Sequence, residues 1–312
     1  MQELHENIIS LSPGECTPAL IERCEDEYRT RLDRTASLIC ERVRGGSSPQ
    51  LITLSGPSCS GKTTASHLLC RELERMGKHA EAFSIDDFYR DHINEEPNPD
   101  YESIGAIDTE YLRECTDRLL GGKNAMMPVY DFIAGSRTSY REIRPGADDI
   151  FIFEGIQALY PQIVELFGGE NTKKAFICVN DDAEINGVFF DRNELRLLRR
   201  LLRDFLFRGS DADFTLGLWK NVRKNEDENI FPYWDGCDFK ISSYLEYETP
   251  IIGKALIPVL AEVANESANY QIAAHLVNKL SSLASVFADP NAVPDSSILR
   301  EFIGKRSDGD VV

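Results

Sequence analysis

The sequence predicts an α/β fold: a central, mostly parallel five-stranded sheet flanked by helices, with helical extensions at both ends. Three observations predict it. From residue 50 onward, short apolar runs alternate with helical patterns, the signature of strands joined by crossover helices. The runs are of strand length, far short of the ~18 apolar residues a membrane helix needs. A glycine-rich string follows the first run, where sheets of this kind take their ligands.

The elements follow in chain order. Residues 1–48 read as an acidic helical extension, with apolar spacing through Leu20, Ile21, Leu32 and Ile39, closing on the loop signal Gly45-Gly46-Ser47-Ser48-Pro49. Strands are expected at Leu51–Ser55, Ala80–Ile85, Ile150–Phe153, Ala175–Val179 and Phe239–Ser242. Helices are expected at Lys62–Met76, Thr109–Leu120, Ile156–Phe167, Asp191–Phe207, Pro250–Asn265 and Tyr270–Ala288, with a short one near Ser296–Ile303 before a frayed polar end. The organisation this gives is an extension over 1–48, a main domain over 49–266 with an arginine-bearing lid around 191–225, and C-terminal helices and tail over 267–312 packed on the same domain. There is no internal repeat.

Charge and cysteines narrow the function. With 34 Lys+Arg against 52 Asp+Glu the net charge is −18, so nucleic acid and anionic membrane are not expected partners. The eight cysteines are dispersed without a CxxC pair or zinc spacing, and read as small buried residues. The first residues lack a signal-peptide pattern. A cytoplasmic protein is expected, acting on a small molecule, with self-association left open.

Residues Gly56-Pro57-Ser58-Cys59-Ser60-Gly61-Lys62-Thr63, followed by Thr64, fit G-x-x-x-x-G-K-[ST]. Glycines let backbone N–H groups turn inward around phosphate oxygens, and the next helix adds its positive end. Lys62 is expected to reach the β- and γ-phosphates and the Thr63 hydroxyl to ligate Mg2+. ATP and Mg2+ are the cofactors implied. The alternative, a glycine-rich turn that binds nothing, is disfavoured by the strand before it and the helical pattern after it. A guanine-reading Asn-Lys-x-Asp string is absent, the nearest match being Asn278-Lys279-Leu280-Ser281. The Asp-Glu strand end of motor ATPases is also missing, since the apolar run Ile150–Phe153 ends in Glu154-Gly155. Glu154 can hold Mg2+ through water; its bland reading is a surface carboxylate.

The second strand runs into Ser84-Ile85-Asp86-Asp87-Phe88-Tyr89. A carboxylate at that strand end would share a cleft with Lys62 and can accept the proton of an attacking hydroxyl. Asp86 is the expected base; Asp87 reads as a cap or supporting group. Arg192, Arg196, Arg199, Arg200 and Arg203 recur at helical spacing as one stripe, with Arg208 beyond it, while Leu195, Leu198, Leu202 and Phe205 face elsewhere. Such a stripe is usually solvated, with Asp191, Glu194 and Asp204 as neutralising neighbours. In so acidic a chain, a lid that clamps the transferring phosphoryl group is the better reading.

Together these motifs resemble the uridine/cytidine kinases, a branch of P-loop kinases that also takes in phosphoribulokinase and pantothenate kinase. The resemblance covers roughly residues 50–265 and rests on Ser55–Thr64, Ser84–Tyr89, Pro128-Val129-Tyr130-Asp131-Phe132 with Ser136-Arg137, Phe153-Glu154-Gly155-Ile156, Arg199-Arg200-Leu201-Leu202-Arg203-Asp204 and Arg208-Gly209. It implies a P-loop kinase fold, Asp86 as catalytic Asp, Glu154 as the magnesium-associated Glu, and Arg200, Arg203 and Arg208 as lid arginines. Tyr130 and Arg137 match substrate-pocket positions, and Tyr89 is a further candidate on the substrate side. Two departures stand out. The family's ribose-holding Asp is Gly105 here, in Ser103-Ile104-Gly105, and its base-reading His is Gly135. Glu102 or Asp108 is expected to compensate for the Asp; no nearby residue in sequence replaces the His. The function expected is transfer of the γ-phosphoryl group of ATP to a hydroxyl of a nucleoside or nucleoside-like acceptor. The alternatives are a kinase for a sugar or vitamin-precursor alcohol, and a nucleotide-binding regulatory protein without turnover.

Overall fold

The computed structural model describes residues 8–11, 16–43, 49–93, 100–168 and 172–305. The loop signal at 45–48 and the polar end beyond 305 lie outside them. In chain order the strands are β1 (Ile8–Leu11), β2 (Gln50–Ser55), β3 (Ala80–Ser84), β4 (Ala125–Asp131), β5 (Ser136–Ile143), β6 (Ile150–Glu154), β7 (Lys173–Cys178), β8 (Asp182–Ile185), β9 (Val188–Phe190) and β10 (Phe239–Ser242). The helices are α1 (Pro18–Arg42), α2 (Lys62–Arg75), α3 (Thr109–Leu120), α4 (Pro161–Leu166), α5 (Arg192–Arg208), α6 (Ala212–Asn229), α7 (Glu248–Ala261), α8 (Tyr270–Ser281) and α9 (Arg300–Ile303).

The five apolar runs form one sheet of order β10-β7-β2-β6-β3, every pair parallel. Because side chains alternate across a strand, Ile52, Leu54, Ile150 and Ile152 enter one core with α1, α2, α5, α7 and α8. Leu51, Phe83, Phe151 and Phe153 enter a second core with α3 and the β4–β5 hairpin. Burial on both faces is why β2 and β6 in particular read as largely apolar runs.

Helix ends follow local chemistry. The Thr17 hydroxyl accepts the Leu20 N–H and Pro18 opens α1; Asp108 caps α3 through the Tyr111 N–H; Asp191 and Glu194 form a capping box on α5, which stops at Gly209 with φ 63. Each such cap is worth about 1 kcal/mol.

Several expectations are corrected. The N-terminal extension is not wholly helical, because Ile8–Leu11 is a strand, parallel to β8 in a three-stranded sheet with β9. The helix expected over Ile156–Phe167 is a 3-10 turn at Ile156–Leu159 followed by α4, since Pro161 can open a helix but not continue one. The helices expected to reach 265 and 288 stop at Ala261 and Ser281, and the short helix expected near Ser296–Ile303 is α-helical over Arg300–Ile303. On α5, Leu195, Leu198 and Leu202 are buried, but Phe205 is 41% exposed.

Candidate functional site

β2 is the central strand, and the glycine-rich loop leaves its carboxyl end directly into α2. The loop's glycines answer to space and torsion. A Cβ on Gly56 would lie 2.0 Å from the Ile177 carbonyl oxygen, and Gly61 holds φ +83. Cys59 also sits in the left-handed region, at φ 60, a conformation that costs a non-glycine residue about 1–3 kcal/mol and persists only when its surroundings impose it. Lys62 Nζ donates to the Gly56 and Pro57 carbonyls at 3.1 and 3.2 Å, within the loop it belongs to. Ser58 and Ser60 are buried in the loop wall, and the Ser60 N–H donates to the Pro57 carbonyl. Thr64 gives its hydroxyl and its N–H to Glu301 on α9, at 2.8 and 3.4 Å.

The neighbouring strand ends bring the carboxylates in. Glu154 ends β6 in register with Leu54 of β2 and Ser84 of β3. It is buried and accepts the Thr63 hydroxyl at 2.9 Å. Burial, opposed by the Lys62 charge and reinforced by Asp86, pushes its carboxyl up to about 7. Two residues beyond β3, Asp86 lies in a 3-10 turn capped by Ser84. Burial raises its carboxyl above the usual range, while Lys62, the Tyr89 hydroxyl and Arg208 pull it back. Asp86, Lys62 and Glu154 therefore face one cleft. Asp87 turns away and accepts the Tyr130 N–H at 3.0 Å, tying the hairpin to this turn.

Thr63 and Glu154 offer a hydroxyl and a carboxylate side by side, the hard oxygen donors Mg2+ takes while phosphates and water complete its shell. The residues fit that ion.

Beyond Asp86 the cleft is lined by aromatic rings. Tyr89 packs edge-on against Tyr101, Tyr130 and Phe132 with centroids 5.4, 5.6 and 6.1 Å apart. The Tyr130 hydroxyl is buried and has no hydrogen-bond partner among the described residues. Glu102 accepts from Asn225 of α6, and its carboxyl is raised by burial and by Glu226. Arg137 is tied to Asp108 at 2.9 Å and to Asp91 at 3.4 Å, so Asp108 spends itself on this pair and on capping α3. Gly135 holds φ 65 in the hairpin turn, a conformation that favours glycine over a side chain, and its carbonyl accepts the His92 N–H at 2.6 Å.

The arginines of α5 do not form the single exposed stripe expected. Arg200 donates to the Ser58 hydroxyl at 2.9 Å and shares Asp204 with Arg203 and Arg208, at 3.3, 2.7 and 3.5 Å. Arg192 bonds the Asn180 carbonyl at 3.5 Å. Arg196 and Arg199 instead turn into the protein, 1% and 0% exposed, because carboxylates meet them there: Glu226 at 2.7 Å and Glu248 at 2.5 Å. Glu226, Glu248 and Glu301 escaped the sequence reading. Each lies far along the chain from its partner, and no local pattern marks it.

A family model, Phosphoribulokinase / Uridine kinase family, matches residues 51–249. The chain belongs to the phosphoribulokinase/uridine kinase family. Among relatives, it is 30% identical over 189 residues to an Arabidopsis thaliana protein named uridine/cytidine kinase UKL1, chloroplastic, a match that takes in 59% of this chain and 35% of that one. It is 30% identical to the uridine kinase of Mycoplasma genitalium over 55% of this chain and 74% of that protein. With the Deinococcus deserti uridine kinase it shares 34% identity over 52% and 71%. A solved chain from Silicibacter sp. TM1040, named as a fructose transport system kinase, shares the fold with a TM-score of 0.51 and 21% identity, over 67% of this chain and 98% of that one. The family match ends within α7, so α8, α9 and the segment carrying Glu301 lie outside it. Among the described residues of this family member, no helix is long and apolar enough to cross a membrane.

Proposed function

We propose that the chain is an ATP- and Mg2+-dependent kinase that transfers the γ-phosphoryl group to a hydroxyl of a nucleoside or nucleoside-like small molecule. The observation that carries this is Asp86, whose carboxyl feels both the Lys62 charge and the hydroxyl of Tyr89, a member of the aromatic cluster. A binding protein would need the lysine but not a base. Asp86 accepts the proton of the acceptor hydroxyl as that oxygen attacks; a carboxyl raised by burial is a stronger base than a solvated one. Lys62 leaves the Gly56 and Pro57 carbonyls for the phosphates. Arg200, Arg203 and Arg208 outnumber the one Asp204 carboxylate they share, leaving positive charge for a phosphoryl group. Bound at Thr63 and Glu154, Mg2+ would neutralise charge on the phosphates. Tyr89, Tyr130, Glu102 and Arg137 line the acceptor side, where the aromatic wall suits a planar group and the unpartnered Tyr130 hydroxyl a polar one.

A second reading, a sugar or other alcohol as acceptor, is favoured by Gly105 and Gly135, which offer no side chain to a ribose diol or a base edge. A panel of nucleosides, sugars and polyols ranked by kcat/KM for ADP release separates the two. Uridine or cytidine above ~10⁴ M⁻¹s⁻¹ would establish the first reading and overturn the inference from the glycines. Asp86→Asn is expected to keep ADP affinity and cut turnover by ~10²-fold or more. Wild-type turnover in that variant would remove Asp86 as the base.

A further inference from the structure

Arg196 and Glu226 take no part in the roles just described, yet they are among the most deeply buried charges in the protein, each with a side chain 1% exposed. Their forks meet at 2.7 and 2.8 Å, the bidentate geometry that fixes both side chains in one arrangement. Burial pushes the Glu226 carboxyl up, but the hydrogen bonds and charge of Arg196, with Arg223 behind it, hold it below the usual carboxylate range. The pair is charged, and it is walled by Trp219 and Phe231, whose rings lie 5.4 and 6.0 Å from the Arg196 guanidinium.

The same two groups also hold both ends of one residue of the phosphate loop. Glu226 Oε1 accepts the Ser58 N–H at 2.8 Å, and Arg196 Nη1 donates to the Ser58 carbonyl at 3.1 Å. The next residue, Cys59, is the one held at φ 60, and its carbonyl takes a further bond from Arg199 at 3.2 Å. A loop with glycine at both ends is pliable in itself. Its function requires the amides at the start of α2 to stay directed at the ligand. The buried charges supply the rigidity that the loop's composition does not.

We propose that Glu226, together with Arg196, is a positioning residue of the phosphate loop: the pair grips the Ser58 peptide from α5 and α6 and so holds the loop in its nucleotide-binding conformation. This rests on reading the loop as a nucleotide site. It also gives α6, outside the glycine-rich motif altogether, a direct part in nucleotide affinity. If loosening the loop reduces the binding-competent fraction to about a tenth, apparent affinity falls ~10-fold.

The test measures ADP binding to the full-length chain by calorimetry, without acceptor, alongside the melting temperature. Glu226→Gln is expected to weaken ADP ~10-fold or more. Since a broken buried pair also destabilises, the deciding variant is the double Arg196→Met/Glu226→Leu, because apolar replacement of both partners tends to preserve stability. It should regain part of the melting temperature lost in Glu226→Gln, the Ser58 N–H and carbonyl still lacking these partners, and still bind ADP weakly. A double variant with wild-type ADP affinity would show that the pair merely fills the core, and would overturn the proposal. Arg196→Lys keeps the charge but not the fork; it should fold and bind ADP with intermediate affinity. Wild-type affinity in Arg196→Lys, with a double variant that fails to fold, would likewise overturn it. Absence of ADP binding by the wild-type chain would instead sink the nucleotide reading itself, and this inference with it.

Discussion

Replacing Glu154 by glutamine puts the electrostatics of the cleft to a direct test. The carboxyl is 4% exposed and raised from 4.5 to about 7, by burial first, with Lys62 opposing and Asp86 adding to the shift. In the unfolded chain it ionises near 4.5, whereas in the native protein without ligands it keeps its proton until about 7. Between those values the native state binds more protons than the unfolded one, so stability falls as pH rises through the window and levels off above it. At 1.36 kcal/mol per unit, the whole shift corresponds to roughly 3 kcal/mol. Glutamine has the shape of the protonated acid and can still accept the Thr63 hydroxyl, so it should lie within about 1 kcal/mol of wild type near pH 5. By pH 8 it should be the more stable of the two by roughly 3 kcal/mol. The assay is urea unfolding at pH 5, 6, 7 and 8, in chelator and without nucleotide. A stability difference that does not change with pH would refute the reasoning, as would a wild-type protein that gains stability over this window relative to the variant.

Two further outcomes are expected at the edges of the same cleft. Arg203→Ala should lower single-turnover rates by ~10²-fold, while Arg192→Ala, whose guanidinium bonds the Asn180 carbonyl away from the loop, should change them little; equal losses would make α5 a general support and not a lid. Glu301→Gln should lower KM for ATP several-fold with kcat unchanged, because the carboxylate engages the Thr64 amide and hydroxyl at a helix N-terminus that favours phosphate; a raised KM would make Glu301 a prop for α2 instead.

What could be read without tertiary structure was what the local chain dictates. The core strands announced themselves most plainly at β2 and β6, which are buried along nearly their whole length and so leave little polar alternation to obscure them. The bounds of α3, Thr109–Leu120, could be read because the cap that Asp108 supplies is local. The glycine-rich loop was legible because its torsions and close approaches demand glycine whatever surrounds them. The β4–β5 hairpin was missed because β5 is exposed along most of its length and β4 carries Pro128, so neither shows the pattern of a half-buried strand. β1 was missed because its pairing partner, β8, is supplied from more than 170 residues away.

The candidate site divides along the same line. Asp86, Glu154, Lys62 and Thr63 could be named from the sequence because each follows a strand or opens a helix, and strand ends in a parallel sheet converge on one edge. Spacing alone put Arg196, Arg199, Arg200 and Arg203 on one stripe of α5. It could not tell which of them meets a carboxylate, since Glu226 and Glu248 lie 30 and 49 residues beyond their partners. Only the folded chain separates Arg196 and Arg199, buried and paired, from Arg200, Arg203 and Arg208 around Asp204. Local sequence determines backbone geometry and the torsions of the phosphate loop. Which charges lose their water, and which partner then offsets that loss, is settled only when distant segments pack together.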